Sequence, residues 1–194
     1  MTRILVLDGH PAARSLCRSL AQSYARGAED AGHEVRHVHL HDLRFDSDFG
    51  GAGYGQVKPL EPDLEGLLAH LDWCEHLVLV TPMWWGGLPA KLKGLFDRAL
   101  LPGRAFDTRH TRMGMPRPML TGRSARVIVT SDTPGWFLRL VYRNALMWQL
   151  RGQILGFVGI RPARFSHFSP ASHADGTRAG RWLGEAFRLG AHAA

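Results

Sequence analysis

Residues 3–15 read RILVLDGHPAARS and give the first indication of the fold. The first six form a short continuous apolar run, which is typical of a strand covered on both faces. A loop over residues 9–14 follows. Apolar side chains then recur every fourth position, at Leu16, Leu20, Tyr24 and Ala28. This spacing predicts an amphipathic helix over residues 15–31 that ends at Gly32.

The rest of the chain repeats this alternation of strands and helices. Further strands are predicted over residues 34–40, 76–81, 125–131 and 161–168. Helices are predicted over residues 62–73, 89–100, 137–149 and 174–189. Residues 42–58 are glycine-rich and predict a long flexible loop, and residues 104–122 are predicted to be irregular. Because parallel neighbours require right-handed crossovers, this order predicts an open parallel α/β sheet with helices on both faces.

Composition limits the classes of protein that the chain can represent. Its 194 residues are 45% hydrophobic and 21% charged, which predicts one domain over residues 1–194. Cys17 and Cys74 form no C-x-x-C pair, so a zinc ribbon is excluded and a reducing compartment is favoured. No apolar stretch approaches the roughly 20 residues of a membrane span, and the first residues do not resemble a signal peptide. We therefore expect a soluble, cytoplasmic protein.

The net charge of +7 favours anionic partners. Only three of the 24 basic residues are lysines, at positions 58, 91 and 93. The basic residues are scattered along the chain and not clustered, which argues against nucleic acid as a partner.

Ligands of such sheets bind at the carboxyl ends of the strands, where three loops are candidates: residues 9–15, 81–87 and 130–136. In the first loop, Arg14 and Arg18 lie at the positive end of a helix, where further positive charge is electrostatically unfavourable. A bound anion would make the interaction favourable. Free N–H groups at a helix start make a phosphate site. The alternative is that Ser15 caps the helix and both arginines point into solvent.

The second loop places Trp84 and Trp85 between a proline and two glycines. This combination presents flat apolar surface beside backbone amides, as a planar heteroaromatic ligand requires. The alternative is core filling, although two adjacent tryptophans in a turn do not both bury easily. Their side chains should diverge, one flanking the ligand and the other packing against protein.

Three weaker signals favour structural explanations. His37, His39 and His41 alternate onto one strand face, but no carboxylate or cysteine at metal-binding spacing accompanies them. The glycines of residues 50–55 lack the preceding strand and the third glycine of a dinucleotide fingerprint. Ser166 and Ser169 near His167 lack the spacing of a hydrolase nucleophile.

Residues 81–98, TPMWWGGLPAKLKGLFDR, resemble the flavodoxin-like NAD(P)H:quinone oxidoreductases, and the similarity runs nearly end to end. That family includes short bacterial NAD(P)H dehydrogenases and potassium-efflux accessory reductases. The resemblance implies a flavodoxin-like three-layer domain with strand order 2-1-3-4-5, bound FMN or FAD, and NADH or NADPH as hydride donor.

By the same resemblance, thirteen residues match flavin-binding positions. Those around the phosphates and ribityl chain are His10, Ser15, Leu16 and Cys17. Those along the ring are Pro82, Met83, Trp84, Trp85 and Gly86. Those in the third flavin loop are Thr130, Ser131, Asp132 and Thr133. The tyrosine–histidine pair of vertebrate-type members is not carried over, because the tyrosine position is deleted and Leu140 falls near the histidine position.

The expected function is ping-pong, two-electron reduction of a quinone-like acceptor by a flavin that takes hydride from NAD(P)H. The alternatives are a non-catalytic flavin-binding partner of a potassium-efflux channel in the membrane and a flavodoxin-type electron carrier. A homodimer is expected through residues 137–149 and 104–122. These stretches carry apolar side chains that a small domain has little means of burying, among them Met113, Met115, Met119, Met147 and Trp148.

Overall fold

Five parallel strands form the central sheet of the computed structural model, which describes residues 1–51 and 53–193 except the side chains at 54 and 112. These strands are β1 (Arg3–Asp8), β2 (Glu34–His39), β3 (His76–Pro82), β6 (Ser124–Thr130) and β7 (Ala163–Phe168). They lie in the order β2-β1-β3-β6-β7. Numbered among themselves, the five strands follow the order 2-1-3-4-5, which confirms the predicted topology.

Helices cover both faces of the sheet. The longer ones are α1 (Leu16–Asp30), α2 (Pro62–Trp73), α3 (Ala90–Ala99) and α7 (Gly176–Ala191). One apolar cluster lies between the sheet and α1 with α7, and the other includes residues of α2 and α3. A Cβ atom at Gly27 would overlap the Phe187 carbonyl oxygen, so this glycine lets α1 and α7 pack closely. Among the described residues, no helix is long and apolar enough to cross a membrane.

A β-hairpin replaces the irregular segment predicted over residues 104–122, so that prediction is wrong. Strands β4 (Phe106–Arg112) and β5 (Met115–Pro118) pair antiparallel. The two residues between them, Met113 and Gly114, both have left-handed backbone angles, with φ of 52° and 78°. Such a turn matches the twist of a two-stranded ribbon. Two prolines in β5 hid the strand from the sequence pattern, because proline is tolerated only at sheet edges.

The predicted helix over residues 137–149 is wrong in both its bounds and its continuity. Helix α4 (Gly135–Leu140) stops, and a turn with left-handed Arg143 and Asn144 separates it from α5 (Ala145–Trp148). The chain then continues through a π-helix at Gln149–Leu155 and α6 (Gly156–Val158). Asparagine tolerates left-handed angles better than most residues, which helps to place the break at this point.

The described part of the glycine-rich stretch, residues 42–51 and 53–58, forms the predicted loop and contains a short 3-10 turn at Tyr54–Gln56. The flexibility of this loop stays a prediction. In the structure, two basic side chains form hydrogen bonds with the loop and its flanking residues. The guanidinium of Arg98 is fully buried and donates to the carbonyl oxygens of Asp46 and Pro59. It also pairs with the Glu61 carboxylate at 3.1 Å. Lys58 donates to the Asp46 and Asp48 carboxylates, each at 2.6 Å.

Candidate functional site

The three candidate loops leave the carboxyl ends of β1, β3 and β6, which are adjacent in the sheet. Backbone hydrogen bonds extend the sheet into these loops. The Gly9 N–H donates to the Val80 carbonyl at 2.7 Å, and the Met83 N–H donates to the Thr130 carbonyl at 2.8 Å. The loops are therefore held side by side by the same sheet that forms the core.

A buried carboxylate organises the first loop. Asp8 accepts a hydrogen bond from the His10 N–H at 3.1 Å, and its other oxygen lies 3.4 Å from His39 Nδ1. His10 Nδ1 in turn accepts from the Ala12 N–H at 3.0 Å. Burial raises the pKa of Asp8 and lowers that of His10. The loop thus has a fixed shape before any ligand binds.

The start of α1 is capped and still offers hydrogen-bond donors. Ser15 is the N-cap, and its Oγ accepts from the Arg18 N–H at 3.0 Å, as the capping alternative predicted. Arg18 does not simply point into solvent, because its Nη1 donates to the Ala13 carbonyl at 2.9 Å. In the part of the chain that the structure describes, the N–H groups of Leu16 and Cys17 have no acceptor in another residue. They form an open helix N-terminus of the kind that binds phosphate.

The side chains of Cys17 and Thr130 lie beneath this surface. Cys17 is 1% exposed, and its Sγ lies 3.2 Å from the Thr130 Oγ1. Burial raises the pKa of the Cys17 thiol to about 12. At the loop surface, Cys17 and Thr130 can therefore offer only their backbone atoms to a ligand. The sequence alone did not show this, because the every-fourth-residue pattern of α1 does not include Cys17.

The tryptophan turn projects into solvent. Two backbone hydrogen bonds of 3.0 and 2.9 Å join Trp84 to Gly87. Between them, Trp85 and Gly86 adopt left-handed angles, with φ of 51° and 74°. Trp85 is fully exposed, whereas Trp84 is 45% exposed and its ring contacts the edge of His10 at 5.6 Å between centroids. The two side chains diverge as expected, with Trp84 against His10 and Trp85 on the cleft, and a role for Trp85 beside a bound ring stays a prediction.

The third loop is braced by a residue of the neighbouring strand. The Ser131 Oγ lies 2.8 Å from His167 Nε2 and donates to the Thr133 carbonyl at 3.2 Å. The Asp132 carboxylate accepts from the Ser172 N–H at 2.7 Å. Burial lowers the pKa of His167. In the sequence His167 stands out only as a neighbour of Ser166 and Ser169, and its bracing role depends on the β6–β7 pairing.

A cleft of about 600 Å³ lies between the second and third loops. Its wall is mixed and combines apolar side chains with the polar residues of the third loop. The residues are Met83, Trp85, Gly86, Ser131, Asp132, Thr133, Leu138, Tyr142, Ala145 and Leu146. The last three and Leu138 are absent from the residues that the sequence nominated, because the packing of this segment beside the third loop is a tertiary contact that no local pattern shows. The buried Pro82 ends β3 behind it.

The histidines of β2 and His41, two residues beyond it, do not form a metal centre. His39 is held by Asp8, and His41 Nδ1 lies 3.0 Å from the Pro11 carbonyl oxygen. Across residues 1–51 and 53–193, no three histidine, cysteine or acidic side chains form a group that could hold a metal ion.

Known proteins with the same architecture provide an independent comparison. A family model described as "Flavodoxin-like fold" matches residues 2–182. The FMN-dependent NADH:quinone oxidoreductase of Ruegeria pomeroyi is 28% identical over 93% of this chain and 95% of its own length. Its namesake in Macrococcus caseolyticus is 26% identical over 96% of this chain and its full length.

Among solved structures, the NAD(P)H:quinone oxidoreductase from Methanothermobacter marburgensis superposes with a TM-score of 0.80 and 24% identity, over 98% of this chain and 96% of that one. This likeness extends the agreement in fold to 98% of the chain. By its sequence match and its strand order, the chain belongs to the family of proteins with the flavodoxin-like fold.

Proposed function

We propose that this chain is an FMN-dependent NAD(P)H oxidoreductase that reduces quinone-like acceptors by a ping-pong reaction. One observation carries the proposal. The open N-terminus of α1, the exposed tryptophan turn and the mixed cleft all lie at the carboxyl ends of three adjacent strands. This is the place where sheets of this kind bind ligands.

The donor set of the site fits a flavin mononucleotide. The unpaired N–H groups of Leu16 and Cys17 suit a phosphate, and Arg14 and Arg18 add positive charge nearby. The N–H groups of Trp85 and Gly86 have no acceptor among the described residues, and they lie beside the flat Trp85 side chain. A planar ring with polar edges would contact the flat side chain with its face and the N–H groups with its edge. FMN is preferred to FAD because the Ruegeria and Macrococcus relatives are named as FMN-dependent.

The flavin, when bound, supplies the hydride chemistry, and the protein supplies placement and electrostatics. The α1 N-terminus holds the phosphate, and the His167–Ser131 contact fixes the shape of the third loop. Met83, Trp85 and Leu138 form an apolar wall against which a planar acceptor stacks, and Tyr142 and Ser131 offer hydroxyl groups to its oxygens. NADH or NADPH and the quinone use the same cleft in turn, which requires the ping-pong order.

We further propose that the active form is a homodimer. Met113 on the β4–β5 turn is 97% exposed and Trp148 is 62% exposed, more than a monomer would be expected to leave in solvent. A partner that covers these side chains would also exclude water from the cleft. A single domain over residues 1–194 fits the one sheet with an apolar cluster on each face. The free thiols Cys17 and Cys74 fit the reducing cytoplasm.

Two measurements test the function. Apoprotein titrated with FMN should quench the flavin fluorescence in a saturable manner at one site per chain. The holoprotein should then oxidise NADH or NADPH steadily only when a quinone is supplied. Binding of FMN without any turnover would favour an electron carrier or a non-catalytic channel partner, and capture of a potassium-efflux channel would favour the latter. Absence of saturable binding would contradict the proposal as a whole.

A further inference from the structure

A small polar cavity lies at the amino ends of the strands, the opposite end of the sheet from the candidate site. His76 and Ser124 begin β3 and β6 there, and Pro162 precedes β7. The enclosed volume is about 10 Å³, which holds one water-sized group. The lining residues include no aspartate or glutamate and lie outside residues 104–122 and 137–149, the segments predicted at the dimer contact. They are Tyr24, His76, Ser124, Ala125, Arg126, Pro162, Arg164 and Ala193, and we call this space the basal cavity.

Arg126 brings a buried donor without an acceptor to this cavity. Its Nε atom is buried and has no hydrogen-bond partner among the described residues. None of the carboxylates that the structure describes forms an ion pair with Arg126. A buried N–H group that makes no hydrogen bond costs free energy, and the cost is larger when the group is charged. The arrangement therefore favours a ligand that accepts a hydrogen bond and carries negative charge.

Two arginines on neighbouring strands make the basal cavity positive. Arg126 on β6 and Arg164 on β7 are register partners in the parallel sheet, and like charges at such positions repel each other. The ring of His76 contacts the Tyr24 and Ser124 hydroxyls at 3.2 and 2.7 Å. Burial, together with the positive charges of the two arginines, lowers the pKa of His76 to about 4, so its ring is neutral at pH 7. The two guanidinium groups therefore determine the charge of the cavity.

We propose that the basal cavity binds one carboxylate group, supplied by a free organic acid or by the end of a polypeptide chain. One oxygen fills the enclosed volume and accepts from the Arg126 Nε–H, and the second remains on the side of Arg164, which is exposed. Guanidinium groups match the two coplanar oxygens of a carboxylate. A phosphate carries its oxygens in a tetrahedron and fits a space for one oxygen less well. The site is independent of the proposed function, because it lies at the other end of the sheet.

A water molecule and the end of α7 are the competing explanations. One water fits the enclosed volume and can accept from the Arg126 Nε–H. The carboxyl end of α7, close to Ala193, contributes a partial negative charge. Water carries no net charge, however, and the helix end leaves the Arg126 Nε without an acceptor among the described residues. A carboxylate meets both requirements, since it accepts the hydrogen bond and offsets the positive charge.

Nuclear magnetic resonance of the arginine Nε–H groups in the FMN-loaded protein tests the site directly. The Arg126 signal is identified by its loss in Arg126→Gln. Sodium acetate, titrated against sodium chloride at equal ionic strength, should shift this signal in a saturable manner. Because a ligand that binds only the folded state stabilises it, acetate should also raise the melting temperature over the same concentration range.

Three variants show which side chains hold the carboxylate. Arg126→Gln should bind acetate at least about tenfold more weakly, as judged from the melting temperature, because it loses a hydrogen bond from a charged donor. Arg164→Gln changes an exposed residue, so it keeps the test valid if Arg126→Gln does not fold, and it should lose about two- to fivefold in affinity. The control Arg26→Gln, at an exposed arginine on α1, should respond to acetate as the wild type does.

The same signal identifies the source of the carboxylate. If acetate shifts it in the wild type, the site takes a free organic acid. A second protein carries three added glycines beyond residue 194, which lies outside the described residues. If acetate shifts the signal only in that extended protein, the carboxylate of the chain itself fills the site in the wild type. No shift in either protein would leave only water in the cavity and overturn the proposal, and so would an equal shift with inorganic phosphate.

Discussion

The thiol of Cys17 and the hydroxyl of Thr130 lie 3.2 Å apart beneath the first and third loops. This contact joins the first turn of α1 to the end of β6, across a sequence separation of 113 residues. It fixes the helix N-terminus relative to the third loop without placing either side chain in the cleft. The two flavin-contacting regions implied by the resemblance are therefore held in register by buried groups.

Burial of both cysteines predicts slow reaction with thiol reagents. The pKa is raised to about 12 for Cys17 and to about 11 for Cys74, in each case chiefly by burial. Because the thiolate is the reactive form, both should react with an aromatic disulfide at pH 8 at least about 100-fold more slowly in the native protein than in urea. Stopped-flow absorbance measures both rates. Rapid modification of one thiol in the native protein would show that its site opens.

The two tryptophans of the turn should respond differently to truncation. Trp85→Ala should weaken FMN binding while changing the free energy of unfolding by no more than about 0.5 kcal/mol, because Trp85 is fully exposed. Trp84→Ala should additionally destabilise the protein by about 0.5–1.5 kcal/mol, since it loses the ring contact with His10. Flavin fluorescence and urea unfolding measure the two effects. Trp136→Ala, an exposed tryptophan outside the cleft lining, is the control for FMN affinity.

Arg98 should be critical for stability although it lies outside the cleft. Arg98→Met leaves the carbonyl oxygens of Asp46 and Pro59 without the guanidinium donor, and it leaves the Glu61 carboxylate with the Asp46 N–H alone. Because the Glu61 carboxylate that remains is partly exposed, the cost comes mainly from the lost hydrogen bonds to the charged donor, at about 1.5–3 kcal/mol each where water does not replace them. Urea unfolding should show this loss, and limited proteolysis should cut within residues 44–58 more rapidly. Lys93→Met, which removes an exposed partner of Asp97 on the same helix, should cost about 1 kcal/mol or less.

Most of the fold follows from the sequence because the apolar patterns are strong. The run in β3 and the leucines of α2 allow few other structures, and α2 was predicted with the bounds that it has, Pro62–Trp73. The failures come from left-handed residues that are not glycine and, at the hairpin, from the prolines of β5 as well. Met113, Arg143 and Asn144 all turn the chain at positive φ, and the first two residue types do so rarely. Tertiary packing determines the conformation of those turns, and tertiary packing cannot be inferred from the local pattern of a single sequence.

The candidate site was predictable as a set of loops, and the roles of its side chains were less so. The rule that ligands bind at strand ends placed residues 9–15, 81–87 and 130–136 together, as the structure does. Burial of Cys17 and Thr130, and the bracing of Ser131 by His167, depend on which strands are neighbours. Such contacts join residues far apart in sequence, so local sequence patterns do not predict them.

Stability should fall in acid because of the buried His76. Its ring contacts the Ser124 hydroxyl at 2.7 Å and the Tyr24 hydroxyl at 3.2 Å, and burial lowers its pKa to about 4. The unfolded chain therefore binds a proton below pH 6.5 that the folded chain does not bind until about pH 4. Stability is lost as pH falls through this window, by about 1.4 kcal/mol per unit of pKa difference.

The variant His76→Gln isolates this contribution. It should be less stable than the wild type at pH 7, because its hydrogen bonds are altered. The difference in the free energy of unfolding between wild type and variant should narrow by about 3 kcal/mol from pH 7 to pH 4, because only the wild type has a buried ring to protonate. Urea unfolding at several pH values measures the gap. A gap that stays constant with pH would contradict the assignment, and the exposed His173→Gln should follow the wild-type profile.

The dimer proposal is tested best at the hairpin and at Trp148. Met115 and Trp148 are 56% and 62% exposed, whereas Met147 packs partly against the apolar cluster and is a poor choice for a charge. Met115→Glu together with Trp148→Glu should convert the dimer to a monomer at micromolar concentration, because carboxylates at the centre of an apolar contact are costly to desolvate. Sedimentation velocity measures the mass.

Quinone turnover should fall in the same double variant, since the proposal makes the partner protomer responsible for excluding water from the cleft. FMN affinity should fall less than turnover, because the α1 N-terminus and the tryptophan turn belong to one chain. Phe187→Glu on α7, on the opposite face of the sheet from the cluster that contains Leu146, is the matched control and should leave both mass and turnover unchanged. A wild-type monomer would refute the dimer, and a double variant that remains dimeric would place the interface elsewhere.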